Sequence, residues 1–258
     1  MTAATPVGPT PLLELEDVSA AYGPFRALFG VSLQVRPGSV VAVLGSNGAG
    51  KTTVARVCSG LVRATTGTVR FDGIDITKQK PYRLARLGIA HAPEGRSVFA
   101  SLTVEENLTL SLRRELGKSG LNAGLDRAYE MFPRLGERRR QIAGTLSGGE
   151  QRMLALARVM VNPPKLLICD ELSLGLAPII VDEVYRTLAT IRDAGATLLI
   201  IEQLVKHALG IADDVIVLTK GTVSYSGPAA EVDQLMEYLL PAHGAGPSVN
   251  GQTDTQGS

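Results

Sequence analysis

Gly45-Ser46-Asn47-Gly48-Ala49-Gly50-Lys51-Thr52 has the spacing G-x-x-x-x-G-K-[ST], the Walker A pattern. Glycines let a backbone wrap so that successive N–H groups point at phosphate oxygens. A helix opening at the lysine adds its unpaired N–H groups and the positive end of its dipole. In this pattern Lys51 supplies a point charge for the β- and γ-phosphates and the Thr52 hydroxyl is placed for Mg²⁺, with Thr53 following in the first turn. An accidental glycine-rich turn has the same letters. Here Ser39 to Leu44 before the loop is apolar and β-branched, and Lys51 to Leu61 after it reads as helix, which is the context the pattern requires.

Leu166-Leu167-Ile168-Cys169-Asp170-Glu171 is an apolar strand running into two carboxylates. Ligands of parallel sheets collect at the carboxyl ends of the strands. Asp170 there can hold Mg²⁺ through its hydration shell, and Glu171 can polarise an attacking water. Downstream of a Walker A, this is a Walker B. In Leu146-Ser147-Gly148-Gly149-Glu150-Gln151, Ser147 and Glu150 fit a capping box at a helix start. Glycine in a first turn costs up to about 1 kcal/mol, so Gly148 and Gly149 suggest a backbone that something approaches closely, a second anion site.

These groups need a scaffold. Leu12 to Val18 and Val31 to Val35 alternate loosely like half-buried strands, and Thr68 to Ile76 reads as strand, Asp72-Gly73 turn, strand. The chain therefore opens antiparallel. Ser39–Leu44, Lys165–Cys169 and Ala196–Ile201 are continuous apolar runs, and Ile179–Asp193 between the last two is helical. Apolar strands with crossover helices imply a parallel sheet. The stretch 81–141 reads as mostly helical, with a capping box at Thr103-Val104-Glu105-Glu106 opening a helix toward Leu116. Gly117 to Gly124 reads as a loop, and Asp126 to Leu135 as helix despite Pro133.

Composition removes other classes. The chain has 258 residues, 45% hydrophobic and 20% charged, enough to bury a core and unlike a disordered protein. A net charge of +1, with 4% aromatics and no Trp, offers neither an electrostatic nor a stacking platform for nucleic acid. No apolar run approaches the roughly 20 residues of a membrane-spanning helix, and Met1 to Pro11 lacks the marks of a secretory signal. Cys58 and Cys169 are expected to be buried free thiols in a reducing cytoplasm, and the three histidines form no metal-ligand pattern.

Walker A, LSGGEQ and Walker B in this order resemble the ATP-binding subunit of an ABC (ATP-binding cassette) ATPase, from about Leu12 to Leu240. The resemblance implies a P-loop NTPase core of mostly parallel sheet, an N-terminal antiparallel β subdomain and an inserted helical subdomain at about 95–160. Residues 1–11 then form an extension and 241–258, rich in Gly, Ser, Thr and Gln, a tail expected to be disordered. It also implies that Ser147, Gly148, Gly149 and Glu150 of one subunit complete the Walker A of another around ATP. Tyr22 falls where a ring stacks on adenine. Glu94 falls at the Q-loop, near the metal and linked to the membrane subunits, and the stretch around it would dock to them. Gln203 takes the switch-histidine position and Ser173 to Ala177 the D-loop.

Three positions depart from the general pattern: Glu94 for Gln, Gln203 for His, and Ala177 for Asp. With Thr103 to Leu108, Leu174 to Pro178 and Ile201-Glu202-Gln203, they resemble one subfamily, the LivF-like second ATP-binding subunit of branched-chain amino acid importers and their urea and amide relatives. Leu172 replaces the proline expected after Glu171 even there. The implied cofactors are ATP and Mg²⁺. The implied partners are a second cassette, favouring a heterodimer, two permease subunits and indirectly a solute-binding protein, on the inner face of the cell membrane. Two other readings compete. A soluble chromosome or translation ABC ATPase needs a long coiled coil or a second cassette, and the interval from Glu94 to Ser147 holds no heptads. A non-hydrolysing ATP-binding regulator is suggested by Gln203, Ala177 and Leu172 and opposed by intact Lys51, Thr52, Asp170 and Glu171.

Overall fold

A computed structural model of the chain describes residues 10–93, 98–161 and 163–231. In chain order the elements are β1 (Leu13–Tyr22), β2 (Phe25–Val35), β3 (Val40–Leu44), α1 (Lys51–Cys58), β4 (Ala64–Phe71), β5 (Ile74–Asp75), α2 (Pro81–Leu87), β6 (Ile89–Ala92), α3 (Val104–Met131), α4 (Pro133–Glu137), α5 (Gly148–Met160), β7 (Leu166–Asp170), α6 (Pro178–Asp193), β8 (Thr197–Glu202), α7 (Val205–Leu209), β9 (Asp214–Thr219) and β10 (Thr222–Pro228).

The continuous apolar runs are strands buried on both faces. Val40, Ala42 and Leu44 of β3 pack into one core and Val41 and Val43 into another. β7 and β8 split the same way, with Leu167, Cys169, Leu198 and Ile200 on one side and Leu166, Ile168, Leu199 and Ile201 on the other. Each strand therefore has no face on which a polar residue could be solvated, which removes the usual alternation. The sheet order is β10-β9-β3-β8-β7-β6, parallel except for the edge strand β10. A four-stranded antiparallel sheet, β2-β1-β4-β5, covers one face together with α1, and α3, α5 and α6 supply the core on the other. Among the described residues no helix is long and apolar enough to cross a membrane.

Both capping boxes are present. Thr103 and Glu106 exchange bonds of 2.8 and 3.2 Å at the start of α3, and Ser147 and Glu150 exchange bonds of 2.9 and 3.3 Å at the start of α5. The Asp72-Gly73 turn takes positive φ at both residues, 52° and 74°.

The structure corrects two readings and adds three strands that the sequence patterns did not reveal. Gly117 to Gly124 is not a loop but part of α3, which kinks at Gly117 (φ 70°) and continues to Met131. Gly124 is buried there, close to Leu112, Leu116 and Val161, so tertiary packing overrides the low helix propensity of its glycines. Pro133 does not lie inside a helix; it opens α4, where its missing N–H costs nothing. The mostly helical stretch 81–141 contains a strand, β6, paired with β7. Finally, β9 and β10 extend the sheet beyond β8. The expected extension before residue 10, the tail 241–258, and Glu94 lie outside the described residues.

Candidate functional site

Parallel pairing brings the carboxyl ends of four strands to one edge. Leu44 of β3 is level with Glu202 of β8, Asp170 of β7 with Ile201, and Ala92 of β6 with Cys169. Neighbouring strands lie about 4.8 Å apart, so residues widely separated in sequence become lateral neighbours.

The loop 45–50 leaves β3 and turns into α1. Gly48 and Gly50 hold φ of 78° and 102°, conformations that L side chains rarely adopt. A Cβ on Gly50 would also meet Leu28 and the Ala27 carbonyl at 2.8 and 2.9 Å, whereas one on Gly48 would meet nothing within 4 Å among the described residues. The loop is thus packed against β2 on one side and open at its crest, where Ser46, Asn47 and Gly48 are exposed and Ala49 is buried. Lys51 is 3% exposed, and its Nζ donates to the Ser46 carbonyl at 3.2 Å and lies 3.4 Å from Glu171 Oε1. The Thr52 hydroxyl donates to Asp170 Oδ1 at 3.3 Å, and Asp170 is 1% exposed. Thr53 is buried one residue further into α1.

Glu171 takes φ 48°, with its N–H bonded to the Ile201 carbonyl at 2.9 Å. A non-glycine residue in this region costs on the order of 1–3 kcal/mol. From this backbone the carboxylate reaches Lys51 Nζ. Gln203 follows β8 with an exposed side chain, its N–H bonded to Glu202 Oε2 at 3.2 Å.

Tyr22 ends β1, half exposed, and its hydroxyl accepts from Arg56 of α1 at 3.4 Å. Tyr22, Arg56, His91 and Asp170 share the lining of a cavity of about 410 Å³. Both ring nitrogens of His91 are buried there without a hydrogen-bond partner among the described residues, and Nε2 lies 3.9 Å from Asp170 Oδ2. A larger groove of about 590 Å³, between Glu14, Ser32, Arg36 and Asp214, contains none of the loop residues.

These features suit a nucleoside triphosphate with a divalent cation. The loop crest has room for phosphate oxygens, a buried cation stands beside it, and an oxygen pair from Thr52 and Asp170 matches the ligands a hard cation takes. Expected stacking at Tyr22 is testable here: Tyr22→Ala should weaken nucleotide binding about tenfold, since aromatic stacking on a base is worth roughly 1–3 kcal/mol, without lowering Tm appreciably. Titration of a fluorescent nucleotide reads this, and unchanged affinity removes Tyr22 from the site.

Ser147, Gly148, Gly149 and Glu150 open α5; the Ser147 and Glu150 side chains bond each other, and Arg138 Nε lies 3.0 Å from Glu150 Oε1. Burial pushes the Glu150 carboxyl up, but the Ser147 N–H and O–H, with Arg138 alongside, outweigh it and hold its pKa below the ordinary value. The glycines have different reasons. A Cβ on Gly149 would stand 2.7 Å from Ile180 Cγ2 of α6, so close internal packing requires that glycine. Among the described residues Gly148 has open space, with only Leu176 Cδ2 at 4.0 Å. Close approach from outside is therefore an argument for Gly148 alone.

Three residues near the site were given no role by the motifs. Arg152, buried on α5, donates to the carbonyls of Pro93 at 3.3 Å and Glu171 at 3.5 Å. His91 is concealed in a short strand. Glu202 ends an apolar strand as Asp170 does, a signal that was available. The two cysteines are free and buried, and burial pushes the Cys58 thiol up to about 12.

A phosphate-type loop after β3, paired carboxylates after β7 and an LSGGEQ helix start define the class of ATP-binding cassette ATPases. Residues 28–173 match the ABC transporter family, and the chain belongs to it. It is 42% identical to the high-affinity branched-chain amino acid transport ATP-binding protein BraG of Pseudomonas aeruginosa, over 82% of this chain and 91% of that protein. It is 32% identical to BraF of the same organism, which carries the same description, over 89% and 98%. The ADP conformation of MJ1267, an ATP-binding cassette of an ABC transporter, superposes with a TM-score of 0.73 at 28% identity, covering 85% of this chain and 91% of that one. The chain is thus an ATP-binding, ATP-hydrolysing subunit of a transporter.

Proposed function

We propose that this chain powers uptake of branched-chain amino acids, or of related small polar solutes, by hydrolysing Mg-ATP at the site of Lys51, Thr52, Asp170 and Glu171. The observation that carries this is the Lys51–Glu171 pair, its side chains 3% and 12% exposed, beside the Thr52–Asp170 contact, two adjacent couples drawn from the start of α1 and the end of β7. Thr52 and Asp170, with Glu94, would hold Mg²⁺, which supplies charge neutralisation at the phosphate oxygens. Gly45 to Gly50 cradle phosphates with backbone N–H groups, and Lys51 adds its charge. Glu171 orients the lytic water and accepts its proton. Gln203 offers a neutral donor, which stabilises developing charge less than a cation because charge-assisted bonds are roughly twice as strong.

Ser147 to Glu150 present a 13-residue helix start, α5, to the nucleotide of a second cassette. The likeness to both BraG and BraF, two ATP-binding proteins of one organism, supports a heterodimer. Two permease subunits complete the assembly on the inner face of the membrane, with a solute-binding protein delivering the solute. An inactive regulator would not need Glu171 strained toward Lys51.

The test is uptake by the complete transporter in proteoliposomes with its solute-binding protein. Labelled leucine, isoleucine or valine should accumulate only when Mg-ATP is present on the side of this chain. Failure to move any of these, or small amides or urea, overturns the solute assignment.

A further inference from the structure

We propose that Glu202 is a positioning residue that fastens the loop after Glu171 to the loop of Gln203, so that both sides of the reaction centre move as one body. This rests on the reading of the site as an ATP hydrolysis site. Glu202 ends β8 at 1% exposure, and among the described residues its carboxylate has no cationic partner at ion-pair distance. A buried carboxylate is costly unless its lone pairs are met. Three donors meet them: the Ser173 N–H on Oε1 at 3.0 Å, and the Ser173 hydroxyl at 2.7 Å and Gln203 N–H at 3.2 Å on Oε2. Ser173 is itself 4% exposed.

The attachment is specific to the two loops. Glu171 N–H to the Ile201 carbonyl at 2.9 Å adds a further tie, so residues 171–173 are joined to 201–202 by backbone and side chain together. On either side of this stitch the chain emerges into solvent, at Leu174 (52% exposed) and Leu204 (46%). A displacement of Gln203 is therefore transmitted to Ser173 through one rigid carboxylate, and from there to the strained Glu171 backbone. Tyr185 packs beneath with a buried hydroxyl, its pKa pushed up by burial first and then by the Glu202 charge.

Glu202→Gln separates positioning from packing. The amide keeps the volume, and its oxygen can still accept the Ser173 N–H. Its NH₂ then replaces Oε2. The Ser173 hydroxyl can rotate to accept from it, but the Gln203 N–H then faces a donor. The variant should release the Gln203 loop without emptying the core.

In the complete transporter, with the partner cassette's own site disabled, kcat for ATP hydrolysis should fall about tenfold, the scale expected when a reacting group is slightly misplaced. KM and fluorescent-nucleotide affinity should stay within about twofold. Amide hydrogen exchange at Ser173 and Gln203 should quicken while that of β3 does not. Ser173→Ala should show the same split more weakly, and should add little in the Glu202→Gln background. It also serves if Glu202→Gln does not fold. Parental kcat and exchange in the variants, or a Tm loss with unchanged kcat of the folded fraction, overturns the positioning role. A parent complex that hydrolyses no ATP overturns instead the reading on which it rests.

Discussion

Glu171→Gln should bind ATP at least as tightly as the parent chain and release phosphate from this site about 100-fold more slowly or worse. The scale is that of a lost general base, about 10²–10⁴. The substitution keeps the shape and a carbonyl oxygen to hold water, but removes the negative charge and the ability to take its proton. It also removes the carboxylate that holds Lys51 Nζ at 3.4 Å, leaving that cation freer to engage phosphate. Binding and turnover therefore move apart. Phosphate release under single-turnover conditions, beside a nucleotide titration, checks both. Rapid hydrolysis by the variant would remove Glu171 from the chemistry and return Asp170 or another group to consideration.

Lys51→Ala should fail at the earlier step. Nucleotide affinity should fall roughly 10- to 100-fold, the worth of about 1.5–3 kcal/mol for a hydrogen bond to a charged group, and hydrolysis should fall below detection. Two costs combine. The phosphates lose their cation, and Glu171, with 12% of its side chain exposed, loses its ion-pair partner. Breaking a buried pair is costly because the remaining charge is uncompensated, so a lower Tm should accompany the loss of affinity. Lys51→Ala/Glu171→Gln should regain the stability and not the binding. Parental affinity in Lys51→Ala would exclude this lysine from the phosphate site.

Much of this was legible because chemistry and architecture repeat the same information. The 45–52 loop announces itself by glycine spacing, and β3, β7 and β8 by apolar runs that two-sided burial makes continuous. Capping boxes at Thr103 and Ser147 follow from a local pairing of side chain with N–H, so four residues suffice to read them.

What was hidden depends on contacts distant in sequence. β6 is four residues long and exists because β7 pairs with it. The helix through Gly117–Gly124 is held by Leu112, Leu116 and Val161 against the glycines' own preference. Gly149 looked like a ligand-facing residue, and its reason is Ile180, 31 positions later. Glu202 looked like the residue before a switch. Only the fold reveals that its carboxylate is buried and shared by Ser173 and Gln203.

The chain is expected to hydrolyse Mg-ATP at its own loop. The most direct test is phosphate release by the assembled transporter after the partner cassette's Walker A lysine and Walker B carboxylate have been replaced, leaving only this chain's site intact. Phosphate should be released above the level of a complex with Glu171→Gln added, and, with a partner whose switch position holds histidine, more slowly than by the reciprocal complex, because Gln203 is a neutral donor. Release no faster than from the doubly blocked complex would contradict hydrolysis at this site.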